Sequence, residues 1–371
     1  MQPPAPPTPF HPVAITDGAW RIDVYDLGSV TAVVYGHALA HAVAMLASDG
    51  ETLRTDVRDG LPQKQIFGLA GEWPNAAWAL VLTENSAVFP PKLFRTKKGV
   101  WKEVKLGSTM RPSELFAWHD GALVFAEDYD VSAGLLGASF IAAGTSKQAP
   151  RFTAAKAKGS DTNCQVAMAP AQIVVTPASE VVVAGCVCNS SRDEQGPARC
   201  HVGLESWSAK SRSSSISSLP VSEDLSPRAL WAPSRREARV LLAKSQPDGS
   251  SSTLVVARLD GGVWTTGVSL VSSGLQFVAV TESGEFWVLT RKELFRHADG
   301  KWSRITLPSL ERVGAPASAE PRLESLAATG DDVWLAVSFE KAPHQHRTVL
   351  FRTRPIPVEI HELPEADLGE I

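Results

Sequence analysis

Four cysteines fall within one short part of the chain, and their thiols offer the widest choice of chemistry in this sequence: Cys164, Cys186, Cys188 and Cys200. Cys186 and Cys188 are two residues apart in a stretch typical of a β-strand, so their side chains share one face. After a polar loop, the segment that begins at Cys200 would return beside this strand. That return places Cys188 and Cys200 opposite each other and leaves Cys186 for Cys164. We therefore expect two disulfides, which form in an oxidising compartment.

Two other interpretations of the cysteines stay open. Buried free thiols behave as small apolar side chains and need no partner. A zinc site would use the four thiols, or three of them with His201, but Cys-x-Cys with a distant Cys-His is not a standard zinc spacing. Of the three interpretations, only the disulfides predict export.

The remaining histidines and acids give no catalytic pattern. His344 and His346 would share a strand face, but the proline-flanked polar stretch around them is typical of a solvated loop. Asp128 and Asp130 are the acids best placed for calcium, yet no Asp-x-Asp-x-Asp-Gly loop is present. The sequence also lacks a Gly-x-Ser-x-Gly elbow, a phosphate-binding loop, a dinucleotide fingerprint and His-Glu-x-x-His. We therefore predict no catalytic, cofactor-binding or metal-binding residue and no cofactor.

A repeated phrase indicates the fold that would position any site. "KLFRTKKGVWKEVKLG" begins at residue 92 and "ELFRHADGKWSRITLP" at residue 293, and a third copy, "VARLDGGVWTTGVSL", begins at residue 256. Each copy is typical of a β-hairpin whose polar turn has a glycine available for a left-handed backbone angle. We expect the arginines of the copies to occupy equivalent positions, and the tryptophans equivalent buried ones. The shared residues are Arg95, Gly99 and Trp101, then Arg258, Gly262 and Trp264, then Arg296, Gly300 and Trp302.

A second recurring phrase precedes several copies and completes a four-stranded unit. "NAAWALVLT", "GEFWVLT" and "DDVWLAV" each follow a polar turn and would form a tryptophan-bearing strand. Four antiparallel strands per repeat, at roughly 40–50 residues each, are typical of a propeller blade. We predict an all-β chain with a single β-propeller of about seven blades over residues 18–366, between a proline-rich tether at 1–17 and a tail at 367–371. The opening "AWRIDVYDL" and the closing "PVEIHEL" both look like outer strands, so the two ends of the chain are expected to share a blade.

The pattern resembles bacterial β-propeller repeats in which a Val-Trp strand precedes a Phe-Arg strand and a Gly-x-Trp strand. It departs from WD repeats, because no blade ends in Trp-Asp, and from the Asp-box of sialidase-like propellers. The resemblance implies a fold and no activity. The repeated tryptophans would then be buried architecture, whereas exposed tryptophans would form a platform for a sugar or a peptide.

Composition narrows the partners. The chain has 36 Lys and Arg against 40 Asp and Glu and no long basic run, which argues against nucleic acid. No stretch approaches the ~18 apolar residues of a membrane span. The first twelve residues include six prolines and lack the features of a signal peptide. This start suits an extended tether, such as the spacer behind the lipid anchor of a bacterial lipoprotein, with the signal or anchor upstream.

Two functions fit these observations. The first is a non-catalytic binding or scaffolding propeller, exported to the periplasm or the cell exterior. It would recognise a protein or a surface polymer through loops at the mouth of the channel. The alternative is a propeller enzyme of the lyase, lactonase or glycoside hydrolase type, whose His, Asp and Glu residues would converge from different blades. A cytoplasmic location also stays open.

Overall fold

A computed structural model describes most of the chain. The described residues are 8–18, 21–37, 40–47, 52–55, 60–62, 64–82, 91–105, 111–118, 121–130, 134–144, 151–153, 169–176, 180–189, 199–208, 214–219, 225–234, 236–245, 250–291, 293–342, 345–355 and 360–364. These residues form β-strands and one 3-10 turn, Glu311–Val313. The strands assemble into seven sheets, numbered here in chain order.

Each of the first four sheets is a meander in which neighbouring strands in the sequence pair. Strand β1 (His11–Asp17) precedes them and belongs to the seventh sheet. The first sheet contains β2 (Arg21–Asp26), β3 (Val30–His37), β4 (Ala40–Ala47) and β5 (Leu53–Arg54), and the second β6 (Ile66–Glu72), β7 (Ala76–Val81), β8 (Lys92–Lys97) and β9 (Val100–Val104). The third contains β10 (Arg111–Trp118), β11 (Gly121–Asp130), β12 (Gly134–Gly144) and β13 (Arg151–Thr153), and the fourth β14 (Ala169–Val175), β15 (Glu180–Asn189), β16 (Arg199–Ser208) and β17 (Ser214–Ser218).

The sixth sheet follows the same pattern, and the fifth and seventh sheets each add one strand to it. The fifth contains β18 (Ser226–Ser234), β19 (Glu237–Ser245), β20 (Ser251–Asp260), β21 (Val263–Thr266) and β22 (Leu270–Ser273), and both β21 and β22 pair with β20. The sixth contains β23 (Leu275–Val280), β24 (Phe286–Thr290), β25 (Leu294–Ala298) and β26 (Lys301–Ile305). The seventh contains β27 (Arg322–Thr329), β28 (Asp332–Ala342), β29 (Gln345–Arg352) and β30 (His361–Glu362), and its order is β27-β28-β29-β1-β30.

The seventh sheet joins the two ends of the chain. β1 runs antiparallel to β29, with Asp17 opposite Arg347, and parallel to β30 on its other side. The Arg347 Nε donates to Asp17 Oδ1 at 2.7 Å. The ends therefore share a sheet, as predicted, but two details differ. Within "AWRIDVYDL", Arg21–Asp26 forms the first strand of the first sheet, and residues 11–17 of the predicted tether are strand β1.

Contacts divide the chain into two compact units, each with its own apolar core. The first unit consists of Met1–Val124, Thr281–Ser283 and Arg304–Ile371, and the second of Phe125–Val280 and Gly284–Ser303. In the first unit, Leu27 and Trp101 are buried where the first and second sheets pack against each other. In the second unit, the fifth sheet packs against the fourth sheet on one face and against the sixth on the other. Successive side chains of a strand point to opposite faces, and apolar residues of the fifth sheet occupy both faces.

Two-residue turns close the three repeated hairpins. Lys98 and Gly99 join β8 to β9 with φ angles of 56° and 79°, and Asp299 and Gly300 join β25 to β26 with 51° and 75°. Two consecutive left-handed residues make the turn whose twist matches a β-hairpin, and a glycine at the second position adopts that angle without strain. This requirement explains why the glycine recurs.

Candidate functional site

The three predicted tryptophans occupy matching positions with unequal burial. Trp101, Trp264 and Trp302 are each the second residue of the outer strand of a repeated hairpin. Trp101 is only 2% exposed, whereas the other two are half-buried. The Trp302 indole donates to the carbonyl oxygen of Val268 at 3.1 Å. The burial of Trp101 supports the architectural interpretation for this residue, whereas the rings of Trp264 and Trp302 are partly accessible to solvent.

The arginines of the "LFR" strands lie over a second set of tryptophans. Arg95 is directly opposite Trp78 in the second sheet, and its guanidinium carbon lies 5.0 Å from the centre of the indole ring. Arg296 takes the same place over Trp287 at 5.8 Å, and Arg352 over Trp334 at 5.0 Å. A cation above an indole face is attracted by the electrons of the ring. The recurring unit is therefore a tryptophan–arginine pair across the second and third strands.

Arg258, the third predicted arginine, lies outside this arrangement. It is opposite Arg239 in the fifth sheet, and its Nη2 atom makes an exposed ion pair with Asp260 at 3.1 Å. In this sheet Arg239 lies over Trp231 instead, at 4.6 Å. Arg258 keeps the predicted position in its hairpin but has no tryptophan opposite it. The third tryptophan–arginine pair is formed by Arg352, which ends the sequence Leu-Phe-Arg in β29.

An acid two residues before the tryptophan completes the pair in the sixth and seventh sheets. Such a residue shares the strand face of the tryptophan, so it lies diagonal to the arginine. Arg296 Nε donates to Glu285 Oε2 at 2.8 Å, and this hydrogen bond raises the pKa of Arg296. Arg352 pairs in the same way with the buried Asp332. Each of these arginines therefore has its charge compensated inside its own sheet.

The second sheet lacks this acid. Ala76 stands two residues before Trp78, and the described residues offer Arg95 no ion-pair partner. The Nε atom of Arg95 and the Nε1 atom of Trp78 are both buried, and neither has a hydrogen-bond partner in the described part of the chain. Lys102 lies directly opposite Arg95 on the outer strand, which adds a second positive charge. This cluster of Trp78, Arg95 and Lys102 is called the open arginine site below.

His297 occupies a buried position between aromatic rings in the sixth sheet. Its imidazole ring lies edge-on to the Trp302 ring, with 4.8 Å between the two ring centroids. The centroid of the Phe286 ring lies 6.5 Å from that of His297. Burial, and then the charge of Arg239, lowers the pKa of His297. The imidazole is therefore neutral at pH 7.

The outer strand of the fifth sheet exposes an apolar, uncharged edge. Of the large apolar side chains that the described residues expose, three lie here: Val263 at 66%, Val268 at 72% and Val271 at 68%. Residues 267–269 oppose only two residues of β20, which makes a β-bulge between β21 and β22. No described strand pairs with the outer side of β21 or β22. The segment from Val263 to Ser273 is called the fifth-sheet edge below.

The cysteines fall in the fourth sheet. Cys188 and Cys200 are directly opposite each other in the antiparallel register of β15 and β16, whereas Cys186 is opposite Val202. Opposed residues of antiparallel strands have Cα atoms ~4.5 or ~5.5 Å apart, and both values lie within the disulfide range. Cys164 lies outside the described residues, so the second bridge stays a prediction. The described residues contain no group of three or more His, Cys, Asp or Glu able to hold a metal ion.

The sequence contained part of the signal for the open arginine site. Trp78, Trp287 and Trp334 belong to the recurring strand phrases, but only the register shows that each one lies under an arginine. The missing acid at Ala76 becomes meaningful only once the three sheets are aligned. The sequence shows residues 263–273 as an uncharged stretch that begins in a predicted hairpin, but only the strand pairing shows that no described strand covers its outer side.

Solved structures with low sequence identity share the fold. The YCF48 protein bound to a D1 peptide is 13% identical with a TM-score of 0.50, over 96% of this chain and 99% of that one. The propeller domain of the trilobed protease from Pyrococcus furiosus is 10% identical with a TM-score of 0.52, over 92% of this chain and its own full length. A puromycin hydrolase mutant complexed with PGG is 12% identical with a TM-score of 0.50, over 86% of this chain and 50% of that one.

No protein-family model and no curated protein matches the sequence. The described chain contains no helix of the length and apolar character needed to cross a bilayer. At these identities the structural likeness establishes the fold and nothing about activity. The chain is a β-propeller, as its repeats predict, and its described strands form seven mainly four-stranded blades.

Proposed function

We propose that the protein is a non-catalytic binding propeller that recognises an extended segment of a partner protein along the fifth-sheet edge. The observation that carries this proposal is the exposure of three valines on an outer strand whose outer side is unpaired in the described structure. An extended peptide can add a strand to such an edge. Main-chain hydrogen bonds then give affinity, and contacts with alternate side chains give selectivity.

The charge pattern of the edge supports this proposal. Proteins usually protect an exposed edge strand with charged side chains, which hinder unwanted pairing. The outer strand of the second sheet has Lys102 and Glu103, and that of the sixth has Lys301 and Arg304. Residues 263–273 contain no charged residue and no histidine. The edge therefore lacks the usual protection and suits a partner segment with apolar residues at alternate positions.

The fold is compatible with this role. In the YCF48 complex a protein of the same fold holds a peptide, although that likeness carries no site over to this chain. Recognition through loops at the channel mouth and a surface polymer as the partner remain predictions. Export is also part of the proposal, and the opposed Cys188 and Cys200 support it.

Selection of peptides from a random library tests the proposal and requires no natural partner. Peptides would be selected against the immobilised protein, and their affinities measured by titration with purified variants. We expect the enriched peptides to have apolar residues at alternate positions. They should bind Val268→Lys and Val271→Lys at least tenfold more weakly, since a lysine at the edge places charge against the apolar strand.

Phe67→Lys is the matched control, because Phe67 is also an exposed apolar side chain but lies on β6 in the second sheet. Its affinity for the selected peptides should equal that of the wild type. Peptides that bind all three lysine variants equally well would show that the edge is not the recognition surface.

A further inference from the structure

The open arginine site contains two buried donors, the Nε atom of Arg95 and the Nε1 atom of Trp78, without a hydrogen-bond partner among the described residues. In the seventh sheet, the Trp334 indole donates to the hydroxyl of Thr329 at 2.8 Å. The corresponding Trp78 is 1% exposed, and its indole nitrogen has no partner among the described residues. A buried donor without an acceptor is unfavourable and rare in native structures. The site is thus short of an acceptor in its present form.

The missing group is a carboxylate. In the sixth and seventh sheets the position two residues before the tryptophan supplies one, from Glu285 to Arg296 and from Asp332 to Arg352. In the second sheet this position is Ala76, whose side chain ends at the β-carbon. Ala76 therefore places no carboxylate beside the guanidinium of Arg95. Arginine presents a planar fork of donors that matches the two oxygens of a carboxylate.

Basic side chains stand next to one another at the open arginine site. Lys102 is opposite Arg95, and like charges at opposed positions of an antiparallel pair destabilise each other. Lys97 and Lys98 follow in the same hairpin and are exposed. An anion bound at Arg95 would relieve this repulsion. Positive potential over a half-buried guanidinium also favours the encounter with an anionic ligand.

The geometry points to a binding site for a carboxylate group at Trp78, Arg95 and Lys102, in the position that Glu285 and Asp332 fill in the other sheets. The ligand is a small carboxylic acid or a carboxylate of a partner polypeptide. Its oxygens accept hydrogen bonds from the Arg95 guanidinium and lie within reach of the Lys102 ammonium. This site is independent of the fifth-sheet edge, and either proposal can fail without the other.

Nuclear magnetic resonance of ¹⁵N-labelled protein tests the site with sodium acetate as the probe and sodium chloride at equal ionic strength as the reference. The reporter signals are the indole N–H of Trp78 and the Nε–H of Arg95, assigned with Trp78→Phe and Arg95→Lys. We expect both signals to shift saturably with acetate and not with chloride. No saturable shift, or tighter binding of inorganic phosphate than of acetate, would overturn the assignment of a carboxylate.

Substitution of Ala76 supplies the decisive comparison. Ala76→Glu restores the acid of the other sheets, so acetate should bind at least tenfold more weakly. Ala76→Gln has the same size without the charge and should keep the acetate response. Unchanged acetate binding in folded Ala76→Glu would refute the proposed position of the ligand.

Two capped peptides identify the source of the carboxylate. N-acetyl-Ala-Glu-Ala-amide offers only a side-chain carboxylate, and N-acetyl-Ala-Ala-Ala with a free C-terminus offers only a main-chain carboxylate. Tighter binding of either peptide than of acetate assigns the ligand to a polypeptide and to that kind of group. Equal or weaker binding of both peptides assigns it to a small carboxylic acid.

Discussion

Replacement of Trp101 by alanine should destabilise the protein far more than replacement of Trp302, although both tryptophans hold the same place in their repeats. Trp101 is almost fully buried between the first and second sheets, with Trp73 packed against it at a ring distance of 6.0 Å. Truncation of a fully buried tryptophan costs about 3–5 kcal/mol. Trp302 is half-buried, so about half of that loss is expected.

These free energies correspond to measurable shifts in melting temperature. At roughly 2.1 cal/mol/K per residue, a chain of 371 residues has an unfolding entropy of about 0.8 kcal/mol/K near its midpoint. Trp101→Ala should therefore lower the melting temperature of cooperative unfolding by about 4–6 °C, and Trp302→Ala by about 2–3 °C. Calorimetry and circular dichroism of the two variants beside the wild type measure both shifts.

One result would refute this reasoning directly. If Trp101→Ala kept the wild-type melting temperature but lost affinity for a selected peptide, the ring would be a recognition platform rather than part of the core. Equal losses of stability in the two variants would contradict the difference in burial. Trp101→Phe is a useful control, because it keeps most of the apolar contact and should lose clearly less stability than the alanine variant.

Three further predictions concern pH and oxidation. Burial lowers the pKa of His297 below its usual 6.5, so the unfolded chain binds more protons than the folded one, and the free energy of unfolding should fall as pH drops below about 6.5. His297→Gln should therefore show a smaller fall in melting temperature between pH 7 and pH 5 than the wild type. An equal fall in both proteins would contradict this prediction. The hydrogen bond from Arg347 lowers the pKa of Asp17, so this exposed pair contributes to the free energy of unfolding above about pH 3.8 and loses that contribution in acid. Because the pair is exposed, the contribution should be under ~1 kcal/mol. At neutral pH, Asp17→Asn should lower the free energy of unfolding, measured with denaturant, by no more than this amount. If Cys188 and Cys200 form a disulfide, neither thiol should be titratable in denatured, unreduced protein, and the disulfide should stabilise the fold by roughly 3 kcal/mol. Free thiols at both positions would contradict the predicted disulfide and the support that it gives to export.

The repeat phrases predicted the blades because they encode local geometry. The glycine at Gly99 and Gly300 is needed for a left-handed turn, and the tryptophan after it marks the outer strand, so spacing alone locates each hairpin. Strand β1 has neither mark. Its residues follow a proline-rich start, and its pairing with β29, more than 300 residues away in sequence, has no local signal.

The candidate sites depend on relations between strands that composition does not contain. Arg95 has no ion-pair partner among the described residues because residue 76 is an alanine. An alanine in a strand is unremarkable until the register shows which acids stand at the matching positions in other sheets. The exposure of Val268 follows from a bulge opposite β20. A one-residue bulge reverses which side chains face the core, and no pattern in the sequence marks it.

Hydrogen–deuterium exchange with and without a selected peptide tests the central claim, recognition along the fifth-sheet edge, most directly. A strand added to this edge would hydrogen-bond the outward-facing amides of residues 263–273 and slow their exchange. We predict protection concentrated in this segment, and its loss in Val271→Lys at the same peptide concentration. Protection confined to other segments, with residues 263–273 exchanging as in the free protein, would contradict the account.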